Sequence, residues 1–244
     1  MTQNRSQRRR KPGRPPGPTQ RGTETRGLLY ETAIALIARR GYEATTLREI
    51  AKRASVSVGL LYKYFPSKRA VVLALYDALS AEYEERASAM KEGSLAERFI
   101  FALRTSLQTL QPHRPALSAL VPVLVSDGSE GLFASATAFS RQRVQAVFQS
   151  AVEGAADAPR AELTPAVGRL LYLVHLAVIL FWLLDRSPGQ RATQEVIALI
   201  ERVAAAASLA LGAPQIGGWV LAGDALFRRA LFGPGDRNAG GGAQ

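Results

Sequence analysis

Apolar residues recur at helical spacing along almost the whole chain, and no stretch shows the period-two alternation of a half-buried strand. Leu29, Ala33, Leu36 and Ile37 share one face of a first helix predicted from Thr25 to Arg40. Arg39 and Arg40 suit the dipole at its C-terminal end, and Gly41 supplies a left-handed stop. Leu47, Ile50, Ala51 and Ala54 make the stripe of a short second helix. Its opening, Thr46-Leu47-Arg48-Glu49, has the form of a capping box, with a hydroxyl for an orphan amide and Glu49 reaching back. Ser55-Val56 form a turn, and Ser57 caps a third short helix with Leu61 and Phe65 inward and Val58, Gly59, Leu60, Tyr62 and Lys63 outward. Pro66 ends that helix. Ser67 then caps a fourth, whose Val71, Val72, Leu75 and Leu79 face a core.

Further helices are predicted near 94–111, 114–126, 130–156, 163–186, 191–211 and 215–232. Their stops are legible at Gln111-Pro112, Ser126-Asp127-Gly128, Ala158-Pro159, Ser187-Pro188-Gly189 and Gly212-Ala213-Pro214. The pattern is that of an all-α protein. A three-helix head with a helix-turn-helix over 26–72 precedes a helical body over 73–232, with a basic arm over 1–25 and a tail over 233–244. The arm has no aliphatic residue after Met1 and cannot offset the entropy of ordering, so it is expected to be disordered. The tail, rich in glycine, is expected to be flexible. The run from Leu170 to Leu184 is interrupted by His175 and bounded by Arg169 and Asp185. It reads as too short for a bilayer span and as a buried helix instead.

Charge sharpens this division. The chain carries a net +11, and residues 1–26 hold eight Lys or Arg against Glu24 alone. Residues 27–70 hold eight against Glu31, Glu43 and Glu49, so the rest of the chain is nearly neutral. A basic first quarter on a neutral body marks a polyanion partner at one end. Within the arm, RRRKPGRPPG resembles an AT-hook core, and Arg14 at its centre suits a narrow minor groove, with non-specific attraction to phosphates the favoured alternative. The absence of cysteine excludes disulfides and thiolate metal sites and fits a reducing, cytoplasmic setting. The basic, Pro-rich start lacks the apolar stretch of a secretory signal. With two histidines far apart and no Gly-rich phosphate loop or metal-ligand spacing, an enzyme, a cofactor and a metal site are not expected. A membrane-surface protein could use the same charge and the amphipathic fourth helix, but would not need two capped short helices.

One family pattern accounts for the head. It comprises Thr46, Ile50-Ala51, Ala54-Ser55-Val56-Ser57, Leu61-Tyr62, Tyr64-Phe65 and Lys68 at fixed spacing. On these residues the segment 26–72 resembles the N-terminal domain of TetR-type (tetracycline-repressor-like) transcriptional regulators. Two positions depart from the pattern. Ser55 stands where the turn usually has glycine, so a slightly altered turn is expected. Val58-Gly59-Leu60 make the front of the third helix apolar, which suits thymine methyls and DNA shape better than bidentate base contacts.

The resemblance implies roles. Thr46, Tyr62, Tyr64 and Lys68 would contact phosphates; Ser57, Val58, Gly59, Leu60 and Lys63 would enter the groove; Arg48 and Arg53 would flank the backbone. Helices 163–186 and 191–211 would pair two copies into a homodimer. Phe101, Leu120, Phe133, Phe148, Tyr172, His175 and Trp182 would line a pocket for a small apolar effector. The implied function is sequence-specific transcriptional regulation, by a ligand-responsive repressor that binds a palindromic operator in double-stranded DNA in the cytoplasm, at the nucleoid. A DNA-binding dimer without an effector remains the alternative.

Overall fold

The computed structural model describes residues 20–126 and 130–231, over which the chain forms eleven α-helices and no strand. They are α1 (Gln20–Arg40), α2 (Leu47–Arg53), α3 (Val58–Tyr64), α4 (Lys68–Ala87), α5 (Leu95–Leu110) and α6 (Arg114–Ala119). There follow α7 (Val121–Leu124), α8 (Ala138–Glu153), α9 (Thr164–Leu184), α10 (Arg191–Ala210) and α11 (Pro214–Leu231). Arg14 and the tail over 233–244 lie outside the described residues.

Three elements differ from the sequence pattern. Helix α1 begins at Gln20, so the end of the supposedly disordered arm is helical. Extending a formed helix adds a hydrogen bond per residue without new nucleation, and Thr25 donates to the Arg21 carbonyl at 2.7 Å. The helix expected over 114–126 breaks at Leu120 into α6 and α7. Pro122 lacks the amide that would bond back to the preceding turn. The helix expected from residue 130 starts only at Ala138. Before it, the buried Thr137 hydroxyl lies 2.8 Å from the Gly131 carbonyl and 2.9 Å from that of Ala134, a local alternative to the helical ladder.

Two cores meet along α1 and α4. The smaller, in the head, gathers Leu29, Ala33, Leu36, Ile50, Ala51, Ala54, Leu61, Phe65 and Val71. The larger takes Ile37 from α1 and Val72, Leu75, Leu79 and Tyr83 from α4, and adds residues of α5, α8, α9 and α10. Val71 and Val72 therefore belong to different cores although adjacent in sequence.

Helix α9 is 21 residues long and contains an apolar window of mean hydropathy 2.1, long and apolar enough to cross a bilayer by length and composition alone. The expectation that it is too short is corrected, because the helix runs well past the apolar run at its N-terminal end. Its packing is that of a core helix: Ala166, Tyr172, His175, Val178 and Trp182 are buried. Arg169 is held by Asp224 of α11 in a bidentate pair at 2.6 and 2.7 Å. The opposite stripe, Val174, Ala177, Phe181 and Leu184, is exposed.

The turn into α10 is organised by Asp185, which accepts from the amide and hydroxyl of Ser187 and of Thr193. Inner residues of α10, Thr193 and Ile197, are buried, while Leu199, Val203 and Leu209 are exposed.

Candidate nucleic-acid interface

The head is built from local interactions that its sequence announces. Thr46 Oγ1 accepts from the Glu49 amide at 3.2 Å, Ser57 Oγ from the Leu60 amide at 3.2 Å, and Ser67 Oγ from the Ala70 amide at 3.1 Å. Each hydroxyl satisfies a donor at a helix start. Only half of the capping box at α2 forms. The Glu49 carboxylate turns to Arg40 at the end of α1, a charged partner that outweighs a backbone amide. The turn between α2 and α3 closes by bonds from the Ala54 amide to the Ile50 carbonyl (2.9 Å) and from the Val56 amide to Ala51 (3.0 Å). Ser55 adopts φ 55°, the left-handed conformation that glycine would take there, so the departure from the family pattern leaves the turn in place.

Leu61 and Phe65 are fully inside the head, which fixes the rotation of α3. Val58, Gly59, Tyr62 and Lys63 are exposed, with Leu60 half-buried beside them. A Cβ built on Gly59 meets nothing within 4 Å, so packing does not demand glycine there. The missing side chain instead lets a second backbone come close. Thr46, Arg48, Lys52 and Arg53 are exposed around α2. A polar and basic rim thus surrounds an apolar reading face.

Two proposed phosphate contacts have partners within the protein. Tyr64 is half-buried against the head core. The Lys68 ammonium donates to the carbonyls of Tyr42 (2.8 Å) and Glu43 (3.3 Å) and sits 4.4 Å from the Tyr42 ring centroid. It therefore ties the loop between α1 and α2 to the start of α4, with one of its three protons left for other acceptors. Arg26 also braces the head, its guanidinium 5.3 Å from the Phe65 ring. Nothing in the spacing of those two residues signals that contact.

A second strap reaches the head from the body. The Tyr42 hydroxyl donates to the Glu130 carboxylate at 3.3 Å, and the Tyr76 hydroxyl of α4 donates to the Glu130 carbonyl at 3.2 Å. Burial, and then the Glu130 carboxylate, raise the Tyr42 phenol to about 12.

The residues expected to line a pocket divide. Phe148, Tyr172 and His175 come together, joined by Tyr83 of α4 and Phe99 of α5. Leu120 is buried in the large core, whereas Phe101 and Phe133 are half-buried. Trp182 lies at the far end of α9, its ring centroid 5.6 Å from the Arg114 guanidinium. That guanidinium donates to the carbonyls of Trp182 and Asp185. The observed cluster thus draws on α4, α5, α8 and α9, and includes two rings, Tyr83 and Phe99, that periodicity presents only as core positions.

Comparison with known proteins places this geometry. Residues 29–75 match the family model described as bacterial regulatory proteins, tetR family. The HTH-type transcriptional repressor KstR of Rhodococcus jostii (strain RHA1) is 46% identical over 61 residues, 25% of this chain and 27% of KstR. The HTH-type transcriptional activator FasR of Mycolicibacterium smegmatis is 33% identical over 124 residues, 49% of this chain and 51% of FasR. The chain thus spans about a quarter to a half of the length of these curated relatives. Among solved structures, a TetR transcriptional regulator from Nitrosomonas europaea ATCC 19718 superposes with a TM-score of 0.56 at 22% identity, covering 75% of this chain and 98% of that one. A tetR-family regulator from Streptomyces coelicolor gives 0.55 at 24% identity, with 84% and 96% covered. These likenesses establish the fold: a helix-turn-helix head on a helical body.

Proposed function

We propose, from the match of residues 29–75 to the tetR family model and from the geometry of the head, that the protein is a transcriptional regulator. It binds an operator in double-stranded DNA as a homodimer, acts as a repressor, and is released by a small apolar effector. The observation that carries this reading is the exposed, capped reading helix. Val58, Gly59, Tyr62 and Lys63 project from a head closed by its own core, with hydroxyls and basic side chains around them. Phosphate contacts would hold the register and the apolar front would read thymine methyls and groove shape.

The dimer draws on the outer faces of α9 and α10. Val174, Phe181 and Leu184 on one helix and Leu199 and Val203 on the other expose apolar surface that a second copy would cover. The effector draws on the aromatic cluster, whose Tyr83 sits on α4, the helix that starts at the head. A molecule that parts the cluster would move α4 and alter the spacing of two heads. It can do so only by as much as its affinity differs between the two arrangements.

Selection of bound fragments from the source genome tests the reading. A two-fold symmetric site is expected, with binding that falls with salt by a slope of about 0.9 per neutralised phosphate. Equal affinity for random and own-promoter DNA at physiological salt would overturn it.

A further inference from the structure

One polar atom in the aromatic cluster is left over. His175 is 4% exposed, and its Nε2 lies 2.8 Å from Ser106 Oγ. Its Nδ1, equally buried, has no hydrogen-bond partner. Native structures rarely keep such an atom without a reason. The walls around it are rings: Phe148 at 4.9 Å between centroids, Tyr172 at 6.1 Å, and Tyr83 at 6.3 Å with its plane within 4° of the imidazole. The Tyr83 hydroxyl does not turn toward the histidine, because it donates to the Ala102 carbonyl at 3.2 Å.

The position of the imidazole proton follows from Ser106. Among the described residues, His175 is the hydrogen-bond partner of that hydroxyl. Donating its proton to Nε2 satisfies the hydroxyl and leaves the imidazole proton on Nδ1. The opposite arrangement strands both the hydroxyl proton and the Nδ1 lone pair. One stranded group is less costly than two, so Nδ1 carries an N–H pointing at no acceptor. Burial keeps the ring neutral, holding it down at about 3, so it offers a donor and no charge. The buried arginines among the described residues donate to backbone carbonyls, Arg98 to Lys91, Ser150 and Ala151, and Arg141 through Nη1 to Leu132 and Ala134. An anion entering the cluster would lose its hydration and meet a neutral ring.

We propose that the Nδ1–H of His175 is the polar anchor of the effector site, and that the effector is a neutral, flat, largely apolar molecule presenting a hydrogen-bond-accepting oxygen, such as a ketone, ester or lactone. This rests on reading the chain as an effector-gated regulator. The oxygen accepts from Nδ1, the flat skeleton lies among Tyr83, Phe148 and Tyr172, and Ser106 acts as a positioning residue that fixes the tautomer. Seating the molecule parts rings on α4, α8 and α9.

The test uses the full chain and three matched probes: 2-acetylnaphthalene, 2-isopropylnaphthalene and 2-naphthoate. The ketone should bind about tenfold tighter than the hydrocarbon of the same shape, and the carboxylate weakest. In the double variant His175→Phe, Ser106→Ala, ketone and hydrocarbon should bind alike. Nitrogen NMR of the wild-type imidazole should show Nδ1 protonated and Nε2 bare, a readout that does not depend on any variant folding. A proton on Nε2, equal binding of ketone and hydrocarbon, or a ketone preference that survives the double variant would each overturn the proposal. Failure of all three probes to bind would overturn it as well. Retention of own-promoter DNA in that case would leave the regulator reading standing, and loss of retention would remove that reading too.

Discussion

Lowering the pH from 7.5 to 5.0 should destabilise the protein through His175. Imidazole ordinarily titrates near 6.5, and burial brings this one down to about 3. Between those values the unfolded chain binds a proton that the folded protein does not, so stability falls as pH falls. The contribution is fully present above about 6.5 and is lost progressively down to about 3, at about 1.4 kcal/mol per pH unit where the unfolded imidazole is charged. Over the chosen interval the loss is about 2 kcal/mol. Asp185 does not enter the comparison. Hydrogen bonds from Ser187 and Thr193 hold it below its ordinary 3.8, and it stays charged throughout. The assay is urea unfolding followed by circular dichroism at one fixed protein concentration, because the stability of any self-associating protein depends on concentration. The control is His175→Phe with Ser106→Ala, which removes both partners of one buried hydrogen bond and is therefore close to neutral at pH 7.5. It should lose correspondingly less stability at pH 5.0. Parallel losses in the two proteins would refute the reasoning, since the imidazole would then not be buried and neutral.

Ser55→Val places a β-branched residue at φ 55° and should cost about 1–2 kcal/mol in thermal unfolding, whereas Ser55→Gly should be neutral or mildly stabilising. Lys68→Met should lower the melting temperature, because its ammonium holds the Tyr42 and Glu43 carbonyls, and, if the proposed phosphate contact holds, DNA affinity as well. Lys63→Met, at an exposed position, should leave the melting temperature unchanged and reduce the salt slope by about 1. Asp224→Ala strands the Arg169 guanidinium and should cost about 2 kcal/mol, seen as faster hydrogen exchange across 214–231.

What was legible in the sequence is what is decided within a few residues. Thr46, Ser57 and Ser67 each bond an amide three positions on, so the starts of α2, α3 and α4 could be read from hydroxyl placement and an apolar stripe. The inward faces of Leu61 and Phe65 followed from the same stripe. The rest depends on partners distant in sequence. Glu49 completes a capping box in isolation but meets Arg40 once α1 is in place. At Lys68 the spacing marks a candidate phosphate contact, while the loop carrying Tyr42 that also takes its ammonium is visible only in the fold. The helix expected from residue 130 is replaced by a turn that Thr137 holds and Glu130 fastens to the head. In the body, His175 could be named as a polar group among apolar ones. Its orphaned nitrogen could not, because that depends on four helices converging.

The proposed effector mechanism needs a path from the cluster in the body to the head, and α4 offers one. Adjacent residues of one rigid helix, Val71 and Val72, lie in the two cores, so no hinge separates the head from the cluster that holds Tyr83. A shift at Tyr83 is carried along α4 to Tyr76, whose hydroxyl holds the Glu130 carbonyl, and on to Lys68, which holds the loop before α2. Glu130 bonds both α4 and Tyr42, so the strap opposes any tilt of the helix relative to that loop. Packed cores resist continuous deformation, so such a system is expected to move between discrete arrangements. In the proposed mechanism the strap would contribute to the energy gap that an effector has to overcome. Its bonds are two neutral or singly charged contacts, each worth about 1–2 kcal/mol, within reach of the differential affinity of a small molecule.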